Sequence, residues 1–208
     1  MTPRGMIRSA RESLRVWRDI RAWERLGKPV PPPHSIKIQT ILSHARKFQC
    51  ATLVETGTYV GNTVEAVRND FSRIFSIELD NGLFEKAKTK FSRDQHVEIL
   101  QGDSAQILPR ILNGIHRPAL FWLDAHYSGA GTAKGGIETP ILTELSLLLA
   151  HAIKNHIVLI DDARLFNGLA DYPSLRELTD MVSSGRPDLE VYVENDIIRI
   201  TPRAEKIA

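Results

Sequence analysis

Between residues 51 and 160 the chain alternates short apolar runs with longer amphipathic stretches. The runs at 51–55, 73–78, 96–101, 119–123 and 156–160 predict strands. The stretches at 62–70, 81–92, 104–114, 140–153 and 173–184 predict helices. Strict alternation of the two predicts an α/β protein built on a doubly wound parallel sheet. The pattern then changes. Leu189-Glu-Val-Tyr-Val and Ile197-Ile-Arg-Ile flank Glu194-Asn195-Asp196, which predicts an antiparallel hairpin closing one sheet edge.

Ahead of this region, residues 6–26 carry Met6, Ile7, Ala10, Leu14, Trp17 and Ile20 at helical spacing. Arg4, Arg8, Arg11, Arg15 and Arg18 line a neighbouring stripe. Such a basic amphipathic helix can dock on an acidic membrane surface or a partner. It can equally pack on the domain, or on a second copy of the chain in a homodimer. Val30-Pro31-Pro32-Pro33-His34 is a stiff linker and sets the one clear boundary. The expected division is 1–34, helix and Pro-rich linker, and 35–208, the main domain. Ser35 is the expected N-cap of a helix running to about Phe48.

Composition narrows the functional classes. The 208 residues are 42% hydrophobic and 25% charged, ordinary for one globular domain with a full core. Cys50 is the only cysteine, which excludes an internal disulfide and a cysteine-based zinc site and fits a cytoplasmic, reducing setting. No apolar run approaches the roughly 18 residues of a membrane span. Nor do the N-terminal arginines precede the apolar core of a secretory signal. The net charge of +2 hides an asymmetry: residues 1–28 hold eight Lys/Arg against three Asp/Glu, a net +5, which leaves −3 on the remaining 180. A mildly acidic main domain argues against nucleic acid as the principal partner.

The chemistry gathers at the predicted strand ends, where open α/β sheets bind ligands. Strand one ends in Glu55 and a turn spaced acid-x-Gly-x-x-x-Gly, with Gly57 and Gly61. Strand two ends in Glu78, strand three in Gly102-Asp103-Ser104, strand four in Asp124, and strand five in Asp161-Asp162. A carboxylate only accepts hydrogen bonds, so Glu78 suits a pair of ribose hydroxyls. Glu55 suits a cationic amino group or the ordering of the turn. Asp103 and Ser104 suit an adenine edge, or a helix cap. G-x-G-x-x-G is absent, as is a P-loop lysine, and an acidic turn cradles pyrophosphate poorly. The pattern fits S-adenosylmethionine better than a dinucleotide.

Leu53-Val-Glu-Thr-Gly-Thr-Tyr-Val-Gly61 resembles motif I of the class I S-adenosylmethionine-dependent methyltransferases. Ile74-Phe-Ser-Ile-Glu-Leu-Asp80 resembles their ribose-binding motif, and Leu100-Gln-Gly-Asp-Ser104 their adenine-contact segment. The resemblance spans about residues 50–202. It implies a Rossmann-like seven-stranded sheet of order 3-2-1-4-5-7-6 with the last strand antiparallel, here with an N-terminal helical extension. It also implies a cofactor site of Glu55, Gly57, Thr58, Tyr59, Gly61, Asn62, Thr63, Glu78, Leu79, Gly102, Asp103, Ser104 and Asp124.

Asp124, Asp161 and Asp162 close two adjacent strands, and three uncompensated carboxylates would repel. A hard divalent cation resolves this, Mg²⁺ first, then Mn²⁺ or Ca²⁺. Helix capping and salt bridges are the alternative. The arrangement is similar to metal-dependent O-methyltransferases of the catechol and macrocin types. That resemblance implies metal-assisted O-methylation of a hydroxyl on a small molecule or glycan, with Asp162 standing where asparagine is usual. The catechol-type lysine position is Tyr127 here. His126 is the expected base, since its ordinary pKa lies near neutrality. Lys134, on the glycine-rich loop 128–139, is a further candidate, and that loop is an expected lid. Two other classes stay open: an NAD(P)-dependent oxidoreductase, and a non-catalytic binding protein that docks through its N-terminal helix.

Overall fold

The structure, a computed structural model, describes residues 16–124, 139–169 and 171–203. Helix α1 covers 16–25, and α2 runs His34–Lys47. Strands and helices then alternate as β1 Thr52–Thr56, α3 Asn62–Val67, β2 Arg73–Glu78, α4 Asn81–Lys90, β3 Val97–Gln101, α5 Ser104–Asn113 and β4 Leu120–Leu123. They continue with α6 Ile141–Ala150, β5 Ile157–Ile160, a short 3-10 turn Ala163–Leu165, α7 Leu175–Gly185, β6 Leu189–Glu194 and β7 Ile197–Pro202. The seven strands order as β3-β2-β1-β4-β5-β7-β6. Strands β1 to β5 pair in parallel, and β7 is antiparallel to both β5 and β6. This matches the order and the reversed last strand expected from the sequence.

The central strands are apolar on both faces because helices cover both. In β4, Leu120 and Trp122 join the core under α2 and α3, with Ile41, Ala45, Val64 and Val67. Phe121 and Leu123 join the opposite core, with Leu108, Ile111, Leu145 and Leu178. In β5, Ile157 and Leu159 alternate with Val158 and Ile160 in the same way. Trp122 is 1% exposed and belongs to the core. Two double-covered strands place their carboxyl ends, Asp124 and Asp161, side by side in register.

Local chemistry sets the helix starts. Asp80 caps α4 by accepting from Leu83 N–H at 2.8 Å, and Ser174 forms a capping box with Glu177 on α7. One expectation fails here. Helix α2 starts at His34, with Pro33 as N-cap and no side-chain cap, so Ser35 lies inside it. Proline suits a helix start because its φ is already near the helical value. On α1, Trp17 is 54% exposed, whereas Trp23 is buried and its indole donates to Pro29 C=O at 2.8 Å. The arginines before residue 16 lie outside the described residues. Among the described residues, no helix is long and apolar enough to cross a membrane.

Candidate functional site

The glycine turn leaves β1 at Gly57, whose φ of 89° is left-handed, and Tyr59 follows at φ 50°. The Gly57 and Thr58 N–H groups both donate to Ile77 C=O of β2, at 2.9 and 3.1 Å. These two amides are therefore committed to the sheet. Gly61, at φ 72°, caps α3, and a Cβ there would stand 2.6 Å from Phe91 Cε2. Its glycine is required by conformation and by the Phe91 ring together.

Glu78 ends β2 beside this turn. One carboxylate oxygen accepts from Tyr59 N–H at 2.6 Å and the other from Asp80 N–H at 2.9 Å. Glu78 thus fixes the turn, and each of its oxygens keeps a further lone pair. Burial raises its pKa, and the backbone donors partly restore it. Glu55, 1% exposed, accepts from Ser76 Oγ, which in turn contacts Thr58 Oγ1 at 2.6 Å. Burial lifts the Glu55 carboxyl to about 8, against the hydrogen bonds from Ser76 and Thr63, with Asp124 pushing the same way as burial. At neutral pH it is a protonated acid beneath the turn.

At the end of β3, Gly102 N–H donates to Glu78 C=O at 2.9 Å. Asp103 is the N-cap of α5, accepting from Ala105 N–H at 2.9 Å. Of the two residues named for adenine or capping, Asp103 is the cap. Ser104 is buried close to Glu144 of α6, and the Glu144 Oε1 and Thr56 Oγ1 atoms are buried without a hydrogen-bond partner among the described residues. Burial brings the Glu144 carboxyl up to about 7. Asn62 and Thr63 open α3, and the Leu79 C=O accepts from Gln101 Nε2 at 3.2 Å.

The acidic edge differs from the expected metal centre. Among the described residues, no group of three His, Cys, Asp or Glu side chains is placed to hold a metal ion. Asp161, 4% exposed, accepts from Asp162 N–H at 2.9 Å through one oxygen and from Lys37 Nζ through the other. Asp162 sits at a left-handed φ of 56° and binds Arg164 Nη1 at 2.8 Å. Arg164 also pairs with Asp196 in the β6–β7 turn. The residues present do not fit a divalent ion as arranged, because two side-chain cations already occupy the carboxylates. Burial opposes the charge on Lys37, yet Asp161, Asp124 and Asp162 together raise its pKa. Burial, then Asp124, raises Asp161, and the Lys37 ammonium opposes them.

Sequence reasoning missed His34, Lys37 and Glu144. His34 Nε2 lies 3.5 Å from Thr63 Oγ1, and its pKa is lowered by burial and by Lys37 while Asp124 opposes. The first turn of α2 therefore delivers an imidazole and an ammonium to the strand ends. Asp124, Glu144, Asp161 and Tyr172 line a small cavity there. The candidate bases His126, Tyr127 and Lys134, and residues 128–138 of the expected lid, lie outside the described residues.

Seven strands in this order, with an acid-rich carboxyl edge and a glycine turn after β1, define the fold of class I S-adenosylmethionine-dependent methyltransferases. Solved structures bear the likeness out. The O-methyltransferase TomG of Streptomyces achromogenes, involved in tomaymycin synthesis and in complex with SAM, superposes with a TM-score of 0.61 at 17% identity, covering 91% of this chain and 89% of that one. An O-methyltransferase from Bacillus cereus in complex with SAH gives 0.61 at 12% identity over 90% of both chains. The SAH-bound methyltransferase PaMTH1 of Podospora anserina gives 0.56 at 15%, covering 98% of this chain and 99% of that one. No protein-family model and no curated protein matches the chain.

Proposed function

We propose that the protein is an S-adenosylmethionine-dependent methyltransferase that methylates a hydroxyl group on a small molecule or glycan. The observation that carries this reading is the pairing of Glu78 and Glu55 at the glycine turn. One carboxylate holds the turn from β2, and one protonated, buried carboxyl lies beneath it. Glu78 keeps lone pairs for ribose hydroxyl hydrogens. Glu55 would ionise opposite a ligand ammonium, since a nearby positive charge favours the carboxylate. When bound, S-adenosylmethionine supplies a methyl group on a sulfonium. Glu55, Gly57, Thr58, Tyr59, Gly61, Asn62, Thr63, Glu78, Leu79, Gly102, Asp103, Ser104 and Asp124 are the proposed surround of that ligand.

The acceptor half is the acidic edge. Asp124 and Asp161 end neighbouring strands, and α2 brings His34 and Lys37 over them. The transferred group goes to oxygen in this reading, which the O-methyltransferases of the same fold support. Metal assistance is left out of it, because Lys37 already pairs with Asp161 and lies 4.0 Å from Asp162. Most of the rate would come from holding donor and acceptor in line. Calorimetry tests the reading: S-adenosylhomocysteine is expected to bind one per chain and NAD⁺ not at all. Tight NAD⁺ binding without S-adenosylhomocysteine binding would overturn it in favour of an oxidoreductase.

A further inference from the structure

We propose that Lys37 is the resident cation of the acidic edge: its ammonium takes the place of a divalent metal and positions Asp161 and Asp162, so that the edge works without Mg²⁺ or Mn²⁺. This rests on the methyltransferase reading of the site, in which that edge faces the acceptor.

Three observations carry it. First, Lys37 belongs to the inward stripe of α2, spaced four residues ahead of buried Ile41 and eight ahead of buried Ala45. A lysine on a core stripe is expelled or paired, and this side chain is only 20% exposed. Its ammonium reaches Asp161 at the end of β5, 124 residues away in sequence. Second, the Asp161 and Asp162 carboxylates already take side-chain cations of the chain itself. Asp161 spends one oxygen on Asp162 N–H and the other on Lys37 Nζ, and Asp162 Oδ1 lies 4.0 Å from the same ammonium while bound to Arg164. A hard cation needs several free oxygens around one point, and these two are turned to different partners. Third, the two acids are held where they are by backbone. Asp161 N–H donates to Leu123 C=O at 3.1 Å, and Asp162 adopts a left-handed conformation. The backbone therefore fixes where the two side chains start at the end of β5, while Lys37 and Arg164 hold their carboxylates.

An ammonium and a metal differ in consequence. Lysine is a fixed point charge with three donors, installed by folding and independent of ion supply. It neutralises the repulsion among Asp124, Asp161 and Asp162 that would otherwise call for a metal. Removing it should expose a cation site that the folded protein otherwise hides.

The test is a Mn²⁺ titration followed by electron paramagnetic resonance on the full chain, as wild type, Lys37→Arg, Lys37→Gln and Lys37→Ala. Wild type and Lys37→Arg are expected to leave millimolar Mn²⁺ free. Lys37→Ala and Lys37→Gln are expected to bind one ion at least tenfold more tightly. Stoichiometric Mn²⁺ binding by wild type overturns the proposal, and that arm needs no variant to fold. Failure of folded Lys37→Ala and Lys37→Gln chains, checked by circular dichroism, to gain Mn²⁺ affinity also overturns it. A lysine with a merely structural role would not produce the gain. S-adenosylhomocysteine binding, measured in parallel, separates the two readings: its loss in wild type fails the methyltransferase reading and leaves the Mn²⁺ result standing.

Discussion

Replacing Glu55 by glutamine should stabilise the unliganded protein at alkaline pH while weakening cofactor binding. The Glu55 carboxyl is raised from its ordinary 4.5 to about 8, chiefly by burial, with Asp124 and Glu78 adding and the Ser76 and Thr63 hydrogen bonds subtracting. A folded-state pKa above the unfolded one means that the folded protein binds the proton more tightly. Stability from this group is therefore full below about pH 4.5 and is lost as pH rises through about 8. Each pKa unit is worth about 1.4 kcal/mol, so between about pH 5.5 and pH 8 the wild type should lose about 3 kcal/mol through this one carboxyl. Glutamine keeps the shape and can still accept from Ser76, but it never ionises. Urea unfolding of both proteins at several pH values reads the difference directly, because all other titrating groups cancel. The stability advantage of Glu55→Gln should be small near pH 5.5 and grow by about 3 kcal/mol towards pH 8. Parallel curves would refute the reasoning. The same group predicts proton release on binding. A ligand ammonium opposite Glu55 drives it to ionise, so binding near pH 7 should release about one proton, seen as a buffer-dependent calorimetric enthalpy. Glu55→Gln should abolish the buffer dependence.

Three further outcomes follow from particular contacts. Glu78→Ala removes the acceptor for Tyr59 N–H and the proposed ribose contacts, and should weaken S-adenosylhomocysteine at least tenfold by calorimetry, with Glu78→Gln intermediate. Gly61→Ala places a Cβ 2.6 Å from Phe91 at a φ of 72°, and should cost about 1–3 kcal/mol in urea unfolding. Phe91→Leu in the same chain should recover part of that loss, whereas no recovery would locate the strain in the backbone alone. His156 accepts from Ala119 N–H at 3.2 Å and contacts His151 at 2.8 Å, and burial, then His151, lowers its pKa from 6.5 to about 4. A depressed pKa gives stability that is present above about 6.5 and lost as pH falls through about 4, so its proton resonances should titrate near 4, and a midpoint near 6.5 would contradict the buried chain of hydrogen bonds.

The sheet was legible because its information is local. The central strands are short apolar runs, and each ends in an acid that the apolar pattern does not explain: Glu55, Glu78, Asp124 or Asp161. Placing these acids at one edge needs only the rule that parallel strands share a direction. What they do with their charge was not legible, because it depends on partners brought by tertiary packing. Three carboxylates at adjacent strand ends call for positive charge, and the sequence leaves a metal and salt bridges both open. The structure answers with Lys37 and Arg164, one from a helix before β1 and one from the turn after β5. A weaker signal did exist. Lys37 shares a four-residue spacing with Ile41 and Ala45, and Glu144 lies on the stripe of Ile141, Leu145 and Leu148. A charge placed on the apolar stripe of a helix must find a buried partner when the helix packs. Lys37 finds Asp161, and Glu144 is buried beside the same strand ends, lining a cavity with Asp124 and Asp161. A cation on the core stripe of α2 and acids at the strand ends each need a partner of the other's sign, and the spacing of Lys37 with Ile41 and Ala45 is the part of that pairing written in the sequence.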